Sequence, residues 1–534
     1  MDCNFTRIAY PDTGYFSKII VDYITGDPEL RRFYMHQVNA AGIEAAIHNR
    51  EAFQTDRQVL VEALTAQYAG TLTSQIVTRN IEALADNNTF TICTAHQPVI
   101  FTGTLYFIYK ILHTVKLARE CEQLFPGKRF VPVYYMGSED ADLDELGAFY
   151  LGTEKLTWNT PQKGAVGRMN TKGLEKIISR IEGEVGVWSN GKELVDLFKS
   201  TYLESPDIQT ATFRLLNTLF ASYGVVILIP DNALLKKQMI PIFRDDLFHQ
   251  SPSKIVGSTI EALNRHYKVQ ANPRNINLFY LKEDIRELIS LEDGKYTVRN
   301  TAIAFTPDEI IAELNEHPER FSPNVILRGL FQERILPNVA FIGGGGETAY
   351  WLEFQDLFKH YDTPFPVLVL RNSFLLISEK WRDRMAKLNL ETEDIFLPET
   401  ALFNRRVEAL SENQLTLNGE LTALTETYEK IKKQAAAIDS TLLQHVSALQ
   451  TTAIKKLNSL EKKMLRAEKR KFETEERHIR QVKDALFPLN GLQERIDNFI
   501  PWYAKYGKDF LDTVYNHSLS LEQEFVVLEQ KVNA

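Results

Sequence analysis

The spacing of apolar residues changes once along this chain, near residue 376, and the two periods demand different folds. Before that point apolar residues come in strand-length runs: Phe90 to Thr94, Phe130 to Met136, Val225 to Ile229, Val339 to Ile342 and Pro366 to Leu370. Helix-length segments lie between them. Leu105, Ile108, Leu112 and Val115 make one stripe over about Thr104 to Glu120. Phe213, Leu216, Phe220 and Tyr223 make another, closed by Gly224, the residue a helix C-cap favours. Buried strands alternating with helices predict an α/β core with a parallel sheet covered on both faces. The less regular stretches near 150–205 and 240–320 read as insertions within a core spanning 1–375. The first ninety residues read as helices with polar faces.

After 376 the period becomes that of a coiled coil. Leu421, Leu424, Tyr428, Ile431, Ala435, Ile438 and Leu442 alternate steps of three and four, an a/d seam. Steps of four at Leu449, Ala453 and Leu457 interrupt it before Leu460, Met464 and Ala467 restore it. Residues 376–534 are therefore expected to form a helical coiled-coil domain. Pro488 and Gly491 break the long helix, and short helices follow. The Lys, Arg and Glu of 455–480 read as a solvated helix surface, not a nucleic-acid patch. The seam predicts a homodimer. An intramolecular hairpin, with 421–467 packed on the helices around 376–410 or 475–530, buries the same positions and stays open.

Composition removes several classes of function. Of 534 residues, 44% are apolar and 25% charged, enough for an ordinary core and far from a disordered chain. The formal net charge of −9 argues against a nucleic-acid partner, whose phosphates attract mainly Lys and Arg. Three cysteines, Cys3, Cys93 and Cys121, with no CxxC pair, argue against a disulfide framework or structural zinc, and no metal is expected. No apolar run approaches the roughly 20 residues that span a bilayer. The N-terminal residues lack the pattern of a secretory signal. A cytoplasmic protein with no membrane partner is expected.

Three blocks at strand ends carry the polar chemistry. The first runs from Thr94-Ala-His-Gln-Pro98 into the helix holding Tyr106 and Lys110. His96 and Gln97 sit where a parallel sheet binds ligands, and Tyr106, Lys110 and His113 share one helix face. The second, Ser138 to Glu145, puts five carboxylates in seven residues. Such a cluster orients an amine, acts as a base or holds a cation, or it enriches a helix N-terminus in acids. Glu139, Asp140 or Asp142 is the member expected to face a pocket. The third runs from Arg328 to Trp351 and contains Gly343 to Gly346. Gly344, Gly346 and Ala349 fit G-x-G-x-x-A, the dinucleotide pattern, but the next strand ends in Arg371-Asn-Ser373 instead of the acidic residue that pattern wants.

In this order the blocks resemble the BshC family, the cysteine-adding enzymes of bacillithiol biosynthesis. The resemblance runs from Pro11-Asp-Thr-Gly-Tyr-Phe-Ser17 through His96-Gln97, Gly103, Leu105-Tyr106, Tyr109-Lys110 and Glu139-Asp140. It continues through Arg328-Gly329, Gln332-Glu333, Gly343 to Glu347, Ala349-Tyr-Trp351 and Arg371-Asn-Ser373. Ala95, Thr104 and Ala141 depart from the Gly, Pro and His usual in the family. The resemblance implies a Rossmann-like core with connecting-peptide insertions, similar to class I aminoacyl-tRNA synthetases, plus a coiled coil used for dimerisation. It implies a ligase that joins cysteine to the amine of glucosaminyl-malate, with ATP or another nucleotide as the activating co-substrate. The implied catalytic residues are His96, Gln97, Lys110, Glu139 and Asp140. The implied substrate-binding residues are Gly103, Tyr106, Arg328, Gln332, Gly344, Gly345, Gly346, Glu347, Tyr350, Arg371, Asn372 and Ser373. Two other readings stand beside it. One is an NADP-type oxidoreductase using Gly344, Gly346 and Ala349 with Arg371 on the 2′-phosphate. The other is a non-catalytic coiled-coil scaffold.

Overall fold

All five predicted core strands form, and all run parallel. In the computed structural model, which describes residues 1–531, they are β1 (Thr89–His96), β2 (Arg129–Met136), β3 (Val226–Leu228), β4 (Asn338–Gly343) and β5 (Val367–Leu370). Their order in the sheet is β3-β2-β1-β4-β5. Thr94 of β1 pairs in register with Tyr134 of β2 on one side and Ile342 of β4 on the other. The order reverses between β1 and β4, so connections leave these two strands in opposite directions and open a crevice at their carboxyl ends.

The core follows from the apolar runs. Phe90, Ile92, Val339, Ile342, Val367 and Val369 pack with Leu117, Ala118 and Cys121 of α1 (Leu105–Leu124) and with Ile43 and Ile47 of the helix Ala40–Glu51. Burying a side chain of this size stabilises by about 1.5–3 kcal/mol each. Helix α1 runs one turn past the expected end, which keeps Cys121 in this core.

The turn into α1 is unusual. Phe101, Thr102 and Gly103 all have positive φ, at 50°, 65° and 62°. Only glycine takes that region freely; a non-glycine residue there costs about 1–3 kcal/mol. The carbonyls of Phe101 and Gly103 both accept from Asn498 Nδ2, and the Phe101 N–H donates to Tyr202 Oη at 2.8 Å. Distant side chains thus fix the start of the helix that carries Tyr106 and Lys110.

Several expectations are revised. The opening residues are not all helical: Cys3–Ala9 is a strand, in a three-stranded sheet with Glu524–Gln530 and Ser373–Ile377. The insertion near 240–320 contributes antiparallel strands, Leu278–Lys282, Ile285–Glu292, Lys295–Val298 and Ala304–Phe305, joined by Phe321–Pro323. That near 150–205 holds the hairpin Ala148–Leu151 with Glu154–Thr157 and the helices Leu174–Val185 and Ser189–Phe198.

The chain forms two compact units, Met1–Leu376 with Gly491–Leu528, and Ile377–Asn490 with the residues from Glu529. Expectation had placed all of 376–534 in one helical domain. Within that span Gly491–Leu528 packs with the core unit, where Gln493 both donates to and accepts from Leu376, at 3.1 and 3.0 Å.

In the second unit the expected single helix over 421–467 is two. These are α4 (Asn418–Ile438) and α5 (Leu442–Lys469), here numbered after α2 (Val325–Ile335) and α3 (Gly345–Trp351) of the core. Asp439 makes the break, its carboxylate accepting from the N–H and hydroxyl of Thr441 at 2.8 Å each, a local turn that competes with the helix. α4 and α5 pack on each other as a hairpin. No described helix is long and apolar enough to cross a membrane.

Candidate functional site

A cavity of about 450 Å³ opens at the carboxyl ends of β1, β2 and β4. The crevice geometry puts it there: β1 ends in Ala95-His96-Gln97, β2 leads into Gly137-Ser138-Glu139-Asp140, and β4 leads into Gly344-Gly345-Gly346-Glu347. Tyr106 and Lys110 reach it from α1, Arg328 from α2, Tyr350 from α3 and Arg371 from the end of β5.

Lys110 is the best-fixed charge. Its Nζ, with the side chain 2% exposed, donates to Ala95 O and to Glu347 Oε2, both at 2.6 Å. Glu347 Oε2 also accepts the Gly344 N–H at 2.8 Å. Burial pushes the Lys110 ammonium down. Burial would raise the Glu347 carboxyl, but Lys110 and the Gly344 N–H outweigh it and hold it below the usual carboxylate range.

His96 is held neutral. Burial, then the charge of Lys110, push its pKa down to about 4. Its ring stacks on Tyr106 with centroids 5.4 Å apart. His96 Nδ1 lies 2.7 Å from Gln97 Oε1, and Gln97 Nε2 donates to Asp140 Oδ2 at 3.2 Å. Asp140 therefore fixes which way the Gln97 amide faces His96. Glu139 forms a close ion pair with Lys236, which is fully buried. Lys236 also sits 3.8 Å from Asp231, and Asp231 takes Arg168 through two 2.7 Å bonds. Two cations and two carboxylates so form one charge-balanced network, whose member Glu139 lines the cavity.

Arg328 offers a different face. Its guanidinium lies over the Tyr135 ring, 5.8 Å from the centroid, and donates to Tyr350 Oη at 2.9 Å. Those partners are neutral, which leaves the cation available to an anion. Arg371 does not match the open fork expected of it. Its NH2 donates to Glu494 at 2.7 Å, its NH1 donates to Asn372 O and Ser373 Oγ, and the group lies over Tyr106. Glu494, fully buried, already neutralises it.

Four other expected residues are not at the cavity. Gly103 shapes the turn before α1. Gln332 is buried and donates to Glu333 Oε1 at 2.9 Å. Asn372 accepts from the Leu519 N–H, and Ser373 serves Arg371. His113 is likewise structural, accepting the Asn372 N–H and contacting Ser520 O. Asp142 caps the short helix Leu143–Leu146, while Glu145 reaches the cavity wall.

Sequence reasoning missed Arg286, Gln270 and Asn324. Arg286, on the inserted strand Ile285–Glu292, lies over the Phe279 ring and donates to Ser322 Oγ at 3.2 Å; its NH1 is 3.9 Å from Asp140. Arg286 and Gln270 come from an insertion with no motif and Asn324 from the cap of α2, so only strand alternation or the Asn and Pro turn signals could have drawn attention.

The G-x-G-x-x-A match also takes on a different meaning. The dinucleotide fingerprint belongs to the first strand–helix turn of such a sheet. Here it follows β4, and the Gly344 N–H is already committed to Glu347.

Fold and site together define an α/β protein with a Rossmann-like sheet, a polar cavity at its switch point, and a separate unit of long helices. The chain belongs to the BshC family. Residues 1–372 match the family's profile "Bacillithiol biosynthesis BshC, N-terminal Rossmann-like domain", and residues 374–530 match "Bacillithiol biosynthesis BshC, C-terminal coiled-coil domain". Relatives named "Putative cysteine ligase BshC" include one from Flavobacterium psychrophilum, 39% identical, covering 98% of this chain and 99% of the relative. Another, from Christiangramia forsetii, is 38% identical and covers 98% of each chain. One from Bacillus cereus is 26% identical over 98% of this chain and 99% of the relative.

Proposed function

We propose that this protein is the cytoplasmic ligase that joins cysteine to the amine of glucosaminyl-malate, forming the amide of bacillithiol. Family membership supports a cysteine ligase of this pathway. The observation that carries the finer reading is the division of the cavity: the Glu139–Lys236 and Asp140–Gln97 carboxylates lie on the β2 side, and Arg328 with neutral partners lies on α2. In this reading the Asp140 carboxylate receives the sugar ammonium, and Arg328 binds a malyl carboxylate through its planar fork.

Amide formation from a carboxylate needs an activated acyl group. The source is ATP or another nucleotide as co-substrate, giving an acyl-adenylate or acyl-phosphate of cysteine. The bound ammonium gives one proton to water, and the free amine nitrogen then attacks the acyl carbon; the C–N bond forms, and the acyl–oxygen bond breaks with its electron pair leaving on the phosphate. The amine proton passes to a carboxylate on the β2 side. His96, neutral near pH 7, contributes hydrogen bonding to the anionic centre without adding charge. Lys110 and Glu347 hold the glycine segment against β1.

Deleting the gene in its host and measuring thiols by mass spectrometry tests the assignment. Loss of bacillithiol with accumulation of glucosaminyl-malate is expected; unchanged bacillithiol without accumulation refutes it. Titrating the purified protein with ATP and with NADPH, read by fluorescence and thermal stability, separates the oxidoreductase alternative. Stabilisation by NADPH but not ATP would favour that alternative.

A further inference from the structure

Residues 264–277 form a strap fourteen residues long between the helix Ser251–Leu263 and the strand Leu278–Lys282. It contains no helix or strand. Segments of about this length without structure of their own are uncommon in compact domains and usually are either functional or linkers; its fixed contacts set this one apart from a linker. This one is held at three places. Tyr267 Oη donates to Asp22 at 2.7 Å. The N–H groups of Gln270 and Ala271 donate to Glu353, at 2.8 Å and 3.2 Å. The N–H and the side-chain amide of Asn277 donate to Asp246, at 2.5 and 3.0 Å.

Glu353 and Asp246 are both fully buried, and among the described residues neither is in an ion pair. Burying a carboxylate without a cation is costly, so these two positions are poor choices for stability alone. Their effect is on place. Glu353 follows directly on α3, which carries Glu347 and Tyr350 to the cavity, so it ties the strap to that wall. At the other end Asn277 accepts two bonds from Asn324, itself on the cavity wall: Asn324 N donates to Asn277 O, and Asn324 Nδ2 to Asn277 Oδ1, both at 3.0 Å. Gln270, whose N–H forms part of the first clasp, lines the cavity while remaining exposed, which puts it at the mouth.

We infer that Gln270 contacts the amino-sugar end of the bound substrate, and that Glu353 and Asp246 are positioning residues that hold the strap so that it can. A primary amide offers a donor and an acceptor side by side, the pattern that neighbouring sugar hydroxyls present in return. The inference rests on the ligase reading, because it takes glucosaminyl-malate as the ligand.

The test is calorimetric binding of glucosaminyl-malate and of malate alone to the full-length protein, with hydrogen exchange over 264–277. Gln270→Ala and Glu353→Ala are each expected to weaken glucosaminyl-malate about tenfold and leave malate within about twofold. Glu353→Ala should speed exchange at Gln270 and Ala271. Glu353→Gln, which keeps an acceptor oxygen, should restore most of the affinity. Wild-type affinity in Gln270→Ala, or equal losses for both ligands, would overturn the inference. Should Glu353→Ala not fold, Gln270→Ala and Glu353→Gln decide by the same criteria. Wild-type protein that binds no glucosaminyl-malate would refute the ligase reading itself, and the strap's role with it; that failure is recognised because it appears without any substitution.

Discussion

Lys110 shows what a single residue contributes at this site. Its ammonium neutralises Glu347 and closes a bond to Ala95 O, linking α1, β1 and the glycine segment. Lys110→Ala leaves the Glu347 carboxylate, 24% exposed, without its cation. A stability loss of about 3 kcal/mol is expected, measured by urea unfolding, together with loss of ligase activity. Glu353 gives a pH-dependent counterpart. Burial raises its pKa to about 7 from an ordinary 4.5. The folded protein therefore holds this proton more tightly than the unfolded chain does. The stability so gained is complete below pH 4.5 and is lost as pH rises through 7. Unfolding of wild type and Glu353→Gln across pH 5 to 8 should show wild type losing stability relative to the variant as pH rises, by a few kcal/mol. A constant difference would refute the assignment. At this scale the sequence made His96, Lys110 and Glu347 legible because each stands at a strand end or on one helix face. The pairing of Arg371 with Glu494 was not legible, since 123 residues separate them and no local pattern links them.

Elements were legible in proportion to their burial. The core strands are buried along nearly their whole length, so their apolar runs are continuous. Cys3–Ala9 exposes most of its residues, and the inserted strands are only partly buried, so neither leaves such a run. One signal there was overlooked. Asp293-Gly294, both with positive φ, is the pair favoured in a two-residue hairpin turn, and it joins Ile285–Glu292 to Lys295–Val298. The turn before α1 belongs to this scale too. Asn498→Ala would remove the donor shared by the Phe101 and Gly103 carbonyls, leaving two buried acceptors unpaired. The expected cost is about 2–3 kcal/mol of stability. Looser seating of Tyr106 and Lys110 should follow, seen as faster hydrogen exchange at the start of α1. Unchanged exchange there would show that the turn holds without Asn498.

At the scale of the whole molecule, the exposed seam of the helical unit bears on assembly. The α4–α5 hairpin covers only part of its own apolar seam: Ile431 is 40% exposed, Ile438 83% and Leu449 47%. We propose that a second copy covers the rest, giving the homodimer that the heptads predict. Burying a few hundred Å² of apolar surface at about 25 cal/mol per Å² contributes several kcal/mol before association entropy is subtracted. Ile431→Asp with Ile438→Asp would place charges on the seam without touching the sheet. Light scattering should then give the monomer mass with the core still folded. A wild-type protein that is already monomeric at micromolar concentration refutes the dimer.

The sequence alone determined which segments become core strands, the change to long helices after 376, and which three blocks stand at strand ends. All three follow from the period of the apolar residues, which is a local property. The tertiary structure decided the rest. It packed Gly491–Leu528 with the core unit, filled the Arg371 fork with Glu494, and brought Arg286, Gln270 and Asn324 to the cavity. Those outcomes depend on pairing buried polar groups between residues far apart in the chain. The need for such partners follows from the desolvation of each group, but their identity is set only when the chain is folded.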